Sequence, residues 1–536
     1  MEKPTDAVAI FSARVFTGLI NQPWAEAVGI QAGRIVAVGS NAAVSAALPG
    51  ARAIALPGRL VTPGLVDAHC HFISYGHSLL TVDLRGLPDL EACRRKIQRA
   101  AAGLDRGQWL LGRGWNHHQW STPREPDKHD LDDIVPDHPV MMVRVCGHSV
   151  WVNSCALQIA AIGADSPDPP GGRIDRDSAG EPTGLLREAR DLIQAHIPAP
   201  SAQQNQQAAL AAQADALRCG LTAVHSCETL AEWRTLAALE AQGRLKIRVY
   251  HLLPPADLEA VGQMGLRPGD GSPRLWMGHQ KLFADGSLGA GTALLQAPYS
   301  DDAANRGLAF LTTPELEHHI TTGYARGFSA AVHAIGDQAG ANALDAIARA
   351  RKHHPGPWRD RIEHLQLYRP QDLDRYRAME ITASVQPFFV ATDWPVADRR
   401  WGPSRRKYAY GWKTLLDHGI RVQFGSDAPV EPIAPLLGVR AAMLRQDPAG
   451  RPEGGWRPDQ CLTLFESLAG YFQTAAWTTG REGVLGAIAP GYWADLTIFQ
   501  LDLCRLPPAE WPATAVEMTI VGGEIVSANG KLAHDP

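Results

Sequence analysis

Eight short β-rich segments punctuate the middle of this chain, and each closes on a polar residue. They are Leu60–His71, Leu221–Ser226, Lys246–His251, His279–Asp285, Ser329–His333, Arg361–His364, Ile381–Gln386 and Arg421–Asp427. Between most of them, apolar residues recur at three- and four-residue spacing, in Ala202–Arg218, Leu230–Gln242, Pro314–Arg326, Gly340–His353 and Pro370–Met379. That spacing predicts helices with one face turned to a core. Repeated strand–helix units predict a parallel sheet with right-handed crossovers. Eight of them predict an α/β fold, a (β/α)8 TIM-like barrel, ahead of an open doubly wound sheet. Such barrels carry their chemistry at the C-terminal ends of the strands, where the polar closing residues stand.

Two breaks in the rhythm set the domain organisation. About 150 residues separate the first segment from the second, far more than an ordinary strand-to-helix connection. This stretch has its own β-type runs, Gln108–Gly112 and Val140–Cys146, and many Trp, His and Pro. It reads as a subdomain of about 76–200 inserted after the first barrel strand and able to cover the barrel mouth. The two ends of the chain also look alike. Ala7–Phe16, Ala27–Ala32 and Arg34–Val38 lie at one end, and Ala494–Phe499, Val516–Val521 and Glu524–Val526 at the other. The last two are joined through Gly522-Gly523, a hairpin signal. Neither end has enough apolar residues for its own core. The prediction is one small β-sandwich domain built from 1–60 and 488–536, with the barrel, 61–487, between them.

The 536 residues carry 51 Lys+Arg against 56 Asp+Glu, a formal charge of −5, with no block of like charge. That leaves no electrostatic footprint for nucleic acid. No window approaches the ~18 uncharged apolar residues of a membrane helix. The opening MEKPTDAVAIFSARVFTG lacks the basic segment and apolar run of a signal peptide. The eight cysteines include no C-x-x-C pair, which sets aside a zinc ribbon and, at this length, a disulfide scaffold. Reduced thiols fit a cytoplasmic protein. The expected partner is a small-molecule substrate, with no nucleic acid and no membrane.

The strongest local signal is Thr62-Pro63-Gly64-Leu65-Val66-Asp67-Ala68-His69-Cys70-His71. Strand alternation puts Asp67, His69 and His71 on one face. Alone, this His-x-His pair is as readily two solvated histidines as two metal ligands. The other segment ends shift that balance: His333 before Ala334-Ile335-Gly336-Asp337, His364 after Arg361-Ile362-Glu363, and Asp427 after Gly425-Ser426. Four His and one Asp at the same end of one barrel suit Zn²⁺, Mn²⁺, Fe²⁺ or Ni²⁺. Lys281, in Gln280–Ser287, reads as a Schiff-base nucleophile, a phosphate ligand or an ion-pair partner. As a cation it would be repelled by divalent metals. Carbamylation by CO2 would turn it into an anionic oxygen ligand able to bridge two of them.

As a set, several segments resemble the amidohydrolase superfamily, in its amidohydrolase family 3 branch, which includes N-substituted formamide deformylases. They are Pro63–His71, Gly114-Trp115-Asn116, Gly147-His148 with Asn153-Ser154, Gly171–Ile174 and Glu181–Gly184. They continue with Lys281–Ser287, Val332–Asp337, Glu363-His364, Gln386-Pro387 and Gly425–Val430. The likeness spans nearly the whole chain, and Gly491–Leu496 resembles the family's return into its small β-domain. It departs at Thr474-Ala475-Ala476, where the family usually has Asn before the Ala pair, and at Asn116, where Asp is common.

The resemblance implies a metal-dependent hydrolase that cleaves a non-peptide C–N bond, in an amide or N-acyl small molecule, with a metal-activated hydroxide. It implies His69, His71 and Asp427 as ligands of a first ion. Carbamylated Lys281 would bridge to a second ion held by His333 and His364. Zn²⁺ is the first expectation, as one ion or two, and Asp427 would pass a proton from water to the leaving nitrogen. His148, Trp115, Asn153 and Phe388 are the substrate-side candidates. The aromatic residues would serve equally well to pack the insertion. His225 and His251 are expected in supporting roles, and a homo-oligomer is implied. On the same scaffold stand a deaminase and a cyclic-imide, carbamate or lactone hydrolase. Gly147-His148-Ser149-Val150-Trp151 narrowly misses the G-x-S-x-G of a serine hydrolase. A non-catalytic binding protein would have lost ligands, whereas every ligand type is present here.

Overall fold

The computed structural model describes residues 7–145, 149–169, 171–511, 515–528 and 531–532. The chain divides into two compact units, one running to Tyr75 and resuming at Ala212, the other Gly76–Ala211.

In the first unit, each of the eight expected segments supplies one strand of a single sheet. These are β1 (Leu65–Cys70), β2 (Leu221–Cys227), β3 (Arg248–Leu253), β4 (Leu275–Phe283), β5 (Ala330–Ala334), β6 (Arg361–His364), β7 (Thr382–Val385) and β8 (Val422–Phe424). They neighbour one another in chain order, and every pair is parallel. The two edges then meet. Beyond β8 the Asp427 N–H donates to the His69 carbonyl at 2.7 Å, and the His71 N–H to the Ala428 carbonyl at 2.8 Å. The buried Asp67 carboxylate fastens this seam, accepting from the Ser426 N–H at 3.0 Å and its hydroxyl at 2.5 Å. Gly425 permits the approach, since a Cβ there would lie 2.5 Å from the His69 nitrogen. The (β/α)8 barrel is therefore present. Helices Leu230–Ala241, Thr313–Tyr324 and Asp337–His353 lie between its strands. The first two open with capping boxes, Thr229 with Glu232 and Thr312 with Glu315, which satisfy N–H groups that a helix start leaves orphaned.

One expectation is corrected. Leu60–His71 folds as two strands rather than one, Leu60–Pro63 and β1. Gly64 makes the break: its N–H donates to the Asp495 carbonyl at 2.8 Å, and a Cβ would sit 2.2 Å from Thr222 Oγ1. The first half joins the small domain and the second the barrel. In the small domain, Leu60–Pro63 pairs with Leu496–Phe499 antiparallel, so the two ends of the chain share a sheet. A second, four-stranded sheet of Arg34–Gly39, Ala27–Gln31, Val8–Phe11 and Arg52–Ala55 packs on it. Ile10, Val28, Ile30 and Ile35 meet Val61, Leu496, Ile498 and Ile520 in one core, as a sandwich made from both termini requires. The buried Arg248–Asp495 ion pair (2.6 Å) ties β3 to this domain.

Gly76–Ala211 has its own six-stranded sheet, with a core on each face. Alternation does the sorting: Val140, Met142 and Trp151 enter one core, and Met141, Val150 and Val152 the other. Among the described residues, no helix is long and apolar enough to cross a membrane.

Candidate metal centre

The six expected ligands gather at the C-terminal end of the barrel. His71 Nε2 and His69 Nε2 lie 3.3 and 3.5 Å from Asp427 Oδ1. Lys281 Nζ lies 3.2 Å from His69 Nε2. The His364 ring centre is 4.9 Å from that of His69 and 4.4 Å from that of His333. Donor atoms of His69, His364 and Asp427 fall within 4.8 Å of one another, close enough to share one cation.

Each imidazole is oriented by an oxygen behind it. His69 Nδ1–H donates to Glu363 Oε2 at 2.5 Å, His71 Nδ1–H to the Cys227 carbonyl at 2.8 Å, and His364 Nδ1–H to Gln386 Oε1 at 2.7 Å. His333 is reversed, with Nε2–H donating to the Gly286 carbonyl at 3.1 Å. These partners turn one nitrogen of each ring toward its neighbours, as in metal-ligating histidines. Burial works downward on His69 and His71, but Cys227 and Glu363 raise His69 to about 10 and the Asp427 hydrogen bond raises His71, so a cation would displace protons from these two rings. Burial holds His364 well below the ordinary imidazole range, aided by His333. Burial, with the Lys281 charge, lowers His333 to about 4. For Asp427, burial works upward, but the His71 hydrogen bond and the charges of His69 and His364 hold it below the usual carboxylate range. Two neutral imidazoles and an ionised carboxylate are the protonation states that divalent cations bind. The donor set fits such an ion.

The backbone bends to achieve this. In an ideal strand Glu363 and His364 would face opposite sides, yet both meet His69. The chain leaves β6 at His364 (φ 73°) and Leu365 (φ 40°), and Asp427 stands at φ 59°. Left-handed backbone at residues other than Gly costs energy and collects at functional sites.

Supporting residues are the ones the residue types alone did not reveal. Glu363 holds His69 on one oxygen and the fully buried Arg361 guanidinium on the other. Arg361 also donates to His225 Nδ1 at 3.0 Å and to the Ala68 carbonyl at 2.7 Å. His225 thus has the supporting role expected. His251 donates to the Thr229 carbonyl at 2.9 Å and packs on Trp233.

Substrate-side expectations need correction. Asn153 is fully buried and spends its whole amide inside Gly76–Ala211. Its oxygen accepts from the Val140 and Ala156 N–H groups, and its nitrogen donates to the Val135 and His138 carbonyls. Trp115 is core, 1% exposed, with its indole N–H on the Met142 carbonyl at 2.8 Å. His148 lies outside the described residues. Ser149 starts a strand of the six-stranded sheet, paired with Arg187. Phe388 is half-buried, and its neighbour Phe389 stacks on His364, with ring centres 6.4 Å apart. Asn153→Ala is expected to cost about 1–3 kcal/mol, because it orphans buried backbone groups, and to leave metal content and KM unchanged. Denaturant unfolding and steady-state kinetics check this.

A parallel eight-stranded barrel with histidines, a lysine and an aspartate converging at its mouth defines a metal-dependent hydrolase. The chain belongs to the amidohydrolase family, whose sequence model matches residues 52–527. It is 36% identical over 523 residues to YtcJ of Bacillus subtilis (strain 168), an amidohydrolase by name, covering 96% of this chain and 98% of that protein. It is 26% identical over 531 residues to the N-substituted formamide deformylase of Arthrobacter pascens, covering 96% and 97%. Among solved structures, a metal-dependent hydrolase from Pyrococcus furiosus matches with a TM-score of 0.77 at 30% identity, covering 94% of this chain and all of that one (100%). The expected superfamily and branch stand, and the chain is a hydrolase.

Proposed function

We propose that this enzyme hydrolyses a non-peptide C–N bond, in an amide or N-acyl small molecule, at a zinc centre. The observation that carries the reading is the set of four imidazoles, each backed by an oxygen acceptor, converging with Asp427. The name of the Arthrobacter relative, a deformylase of N-substituted formamides, supports the bond type. His69, His71 and Asp427 would hold one ion, and His333 and His364 a second, with Lys281 able to contribute an oxygen ligand only once carbamylated. A divalent cation there supplies Lewis acidity, which lowers the pKa of water and polarises an acyl oxygen. Asp427, ionised and facing two histidines, takes a proton and returns it to the leaving nitrogen. Phe283 stands 5.3 Å from the His333 ring and is 43% exposed. With Phe389 it offers apolar contact to a hydrophobic substituent of the substrate.

Elemental mass spectrometry tests this, on protein expressed with bicarbonate present. The expected result is about two transition-metal ions per chain. Chelation should then stop hydrolysis across a panel of amides, and Zn²⁺ should restore it. One ion would retain the hydrolase and remove Lys281 as a bridge. A chain still empty after reconstitution would refute the reading.

A further inference from the structure

We propose that the loop after β4 receives the acyl side of the substrate, and that the group it accepts is a flat aryl group rather than a formyl hydrogen. The proposal rests on the amide-hydrolase reading above and adds its substrate class. Phe283 ends β4, two residues beyond Lys281, and strand alternation turns both to the same face. Its ring centre lies 4.9 Å from Lys281 Nζ and 5.3 Å from that of His333. Phe310 stands beside it, with its N–H on the Ala284 carbonyl at 2.9 Å. A Cβ on Gly286 would meet Phe310 Cζ at 3.2 Å, and the Gly286 carbonyl is the one that orients His333. Phe283, Leu308 and Phe310 are 43%, 56% and 54% exposed, an apolar wall left open to water beside a polar centre. Scattered exposed apolar residues need no explanation, but ones gathered at a site mark where a ligand lands.

The wall is built to hold still. Asp285, fully buried, accepts from the N–H groups of Leu294 (2.8 Å), Ile335 (3.0 Å) and Gly336 (2.8 Å), which ties the loop to the end of β5. Ala309 pairs with Asp285 in an antiparallel bridge, and the Leu308 N–H donates to the Thr292 carbonyl at 3.1 Å. A surface already ordered loses little entropy when a ligand covers it. Its place decides which end of the substrate it meets. In a closed ring of eight strands in chain order, β4 stands across the mouth from β8, which leads to Asp427. The distances agree: Phe283 neighbours Lys281, Lys281 Nζ lies 3.2 Å from His69 Nε2, and His69 Nε2 lies 3.5 Å from Asp427 Oδ1. The leaving nitrogen must face Asp427 to take its proton. The remaining substituent of the acyl carbon then points away from Asp427, toward Phe283. Aromatic rings there pair offset or edge-on with an aryl group.

The test is titration calorimetry on the zinc-loaded full chain with three hydroxamate-type probes. Naphthohydroxamate carries an aryl group on its acyl carbon, acetohydroxamate a methyl group there, and N-naphthylmethyl-N-hydroxyformamide the aryl group on nitrogen. Wild type should bind naphthohydroxamate about tenfold more tightly than acetohydroxamate. Phe310→Ala and Leu308→Ala, compared at equal metal content, should each remove a large part of that preference, and Phe310→Leu less of it. Both losses should be specific to the acyl-side aryl probe. Equal wild-type affinities for the first two probes, a preference that survives both alanine changes, or an equal loss on the nitrogen-side probe overturns the inference and leaves the hydrolase standing. A zinc-loaded chain that binds no acetohydroxamate overturns the metal-centre reading, and this inference with it.

Discussion

Asp427→Asn is expected to lower kcat about 10²- to 10⁴-fold on any amide that the wild-type chain hydrolyses, with the fold intact. Asp427 sits at φ 59°, a region in which Asn is one of the few comfortable residues. Its N–H bond to the His69 carbonyl, and the bond its own carbonyl accepts from the Val430 N–H at 2.8 Å, are main-chain and survive the change. What disappears is the negative charge facing His71 and His69, together with the oxygen that can take up a proton. The loss should therefore appear in kcat and in metal content, while the melting curve barely moves. Wild-type kcat in a folded variant would remove Asp427 from the chemistry. A collapsed melting curve would instead assign it to the seam between β1 and β8.

The barrel was legible because its signals are local. Each strand is short, apolar and closed by a polar residue, and the helices between carry their own periodicity and caps. The six ligand candidates follow once the strand ends are aligned. Gly64 shows where local reading fails. The run from Leu60 to His71 is continuously β-type, and only the close packing of Thr222 and the Asp495 carbonyl divides it between two sheets. Asn153 and Trp115 fail for a related reason. A polar amide or a large aromatic in an inserted segment looks like substrate recognition until its hydrogen bonds are counted, and these are fully committed within their own unit. Glu363 is the reverse case. The Glu363-His364 pair was visible, but its role depends on Arg361 two residues earlier and on His69 nearly three hundred residues away. Partners so distant in sequence leave no trace in spacing.

Arg361→Met is expected to destabilise the chain by about 3–5 kcal/mol, because it leaves a buried carboxylate without its counter-charge. The guanidinium is completely buried and uses three of its edges, on Glu363, His225 and the Ala68 carbonyl. Burial alone would raise the Glu363 pKa, and the Arg361 charge holds it well below the usual carboxylate range. A depressed carboxylate pKa stabilises the fold above the unfolded value, and that stability is lost as pH falls through the folded one. The gap between wild type and Arg361→Met should therefore be full at neutral pH and narrow on acidification, as read by denaturant midpoints of the metal-free proteins. Pairing the change with Glu363→Gln should recover much of the loss, since no unpaired charge then stays buried. Recovered stability need not bring recovered metal binding. Glutamine carries no charge to strengthen the His69 Nδ1–H bond, and weakening such a partner behind a ligand costs about 10–100-fold in metal affinity. A double variant that is stable yet binds metal weakly would show one ion pair serving two ends: Arg361 keeps Glu363 ionised, and Glu363 holds His69 in the tautomer that faces the metal. Equal midpoints for wild type and Arg361→Met at neutral pH would show that the Glu363 charge is carried by some other group.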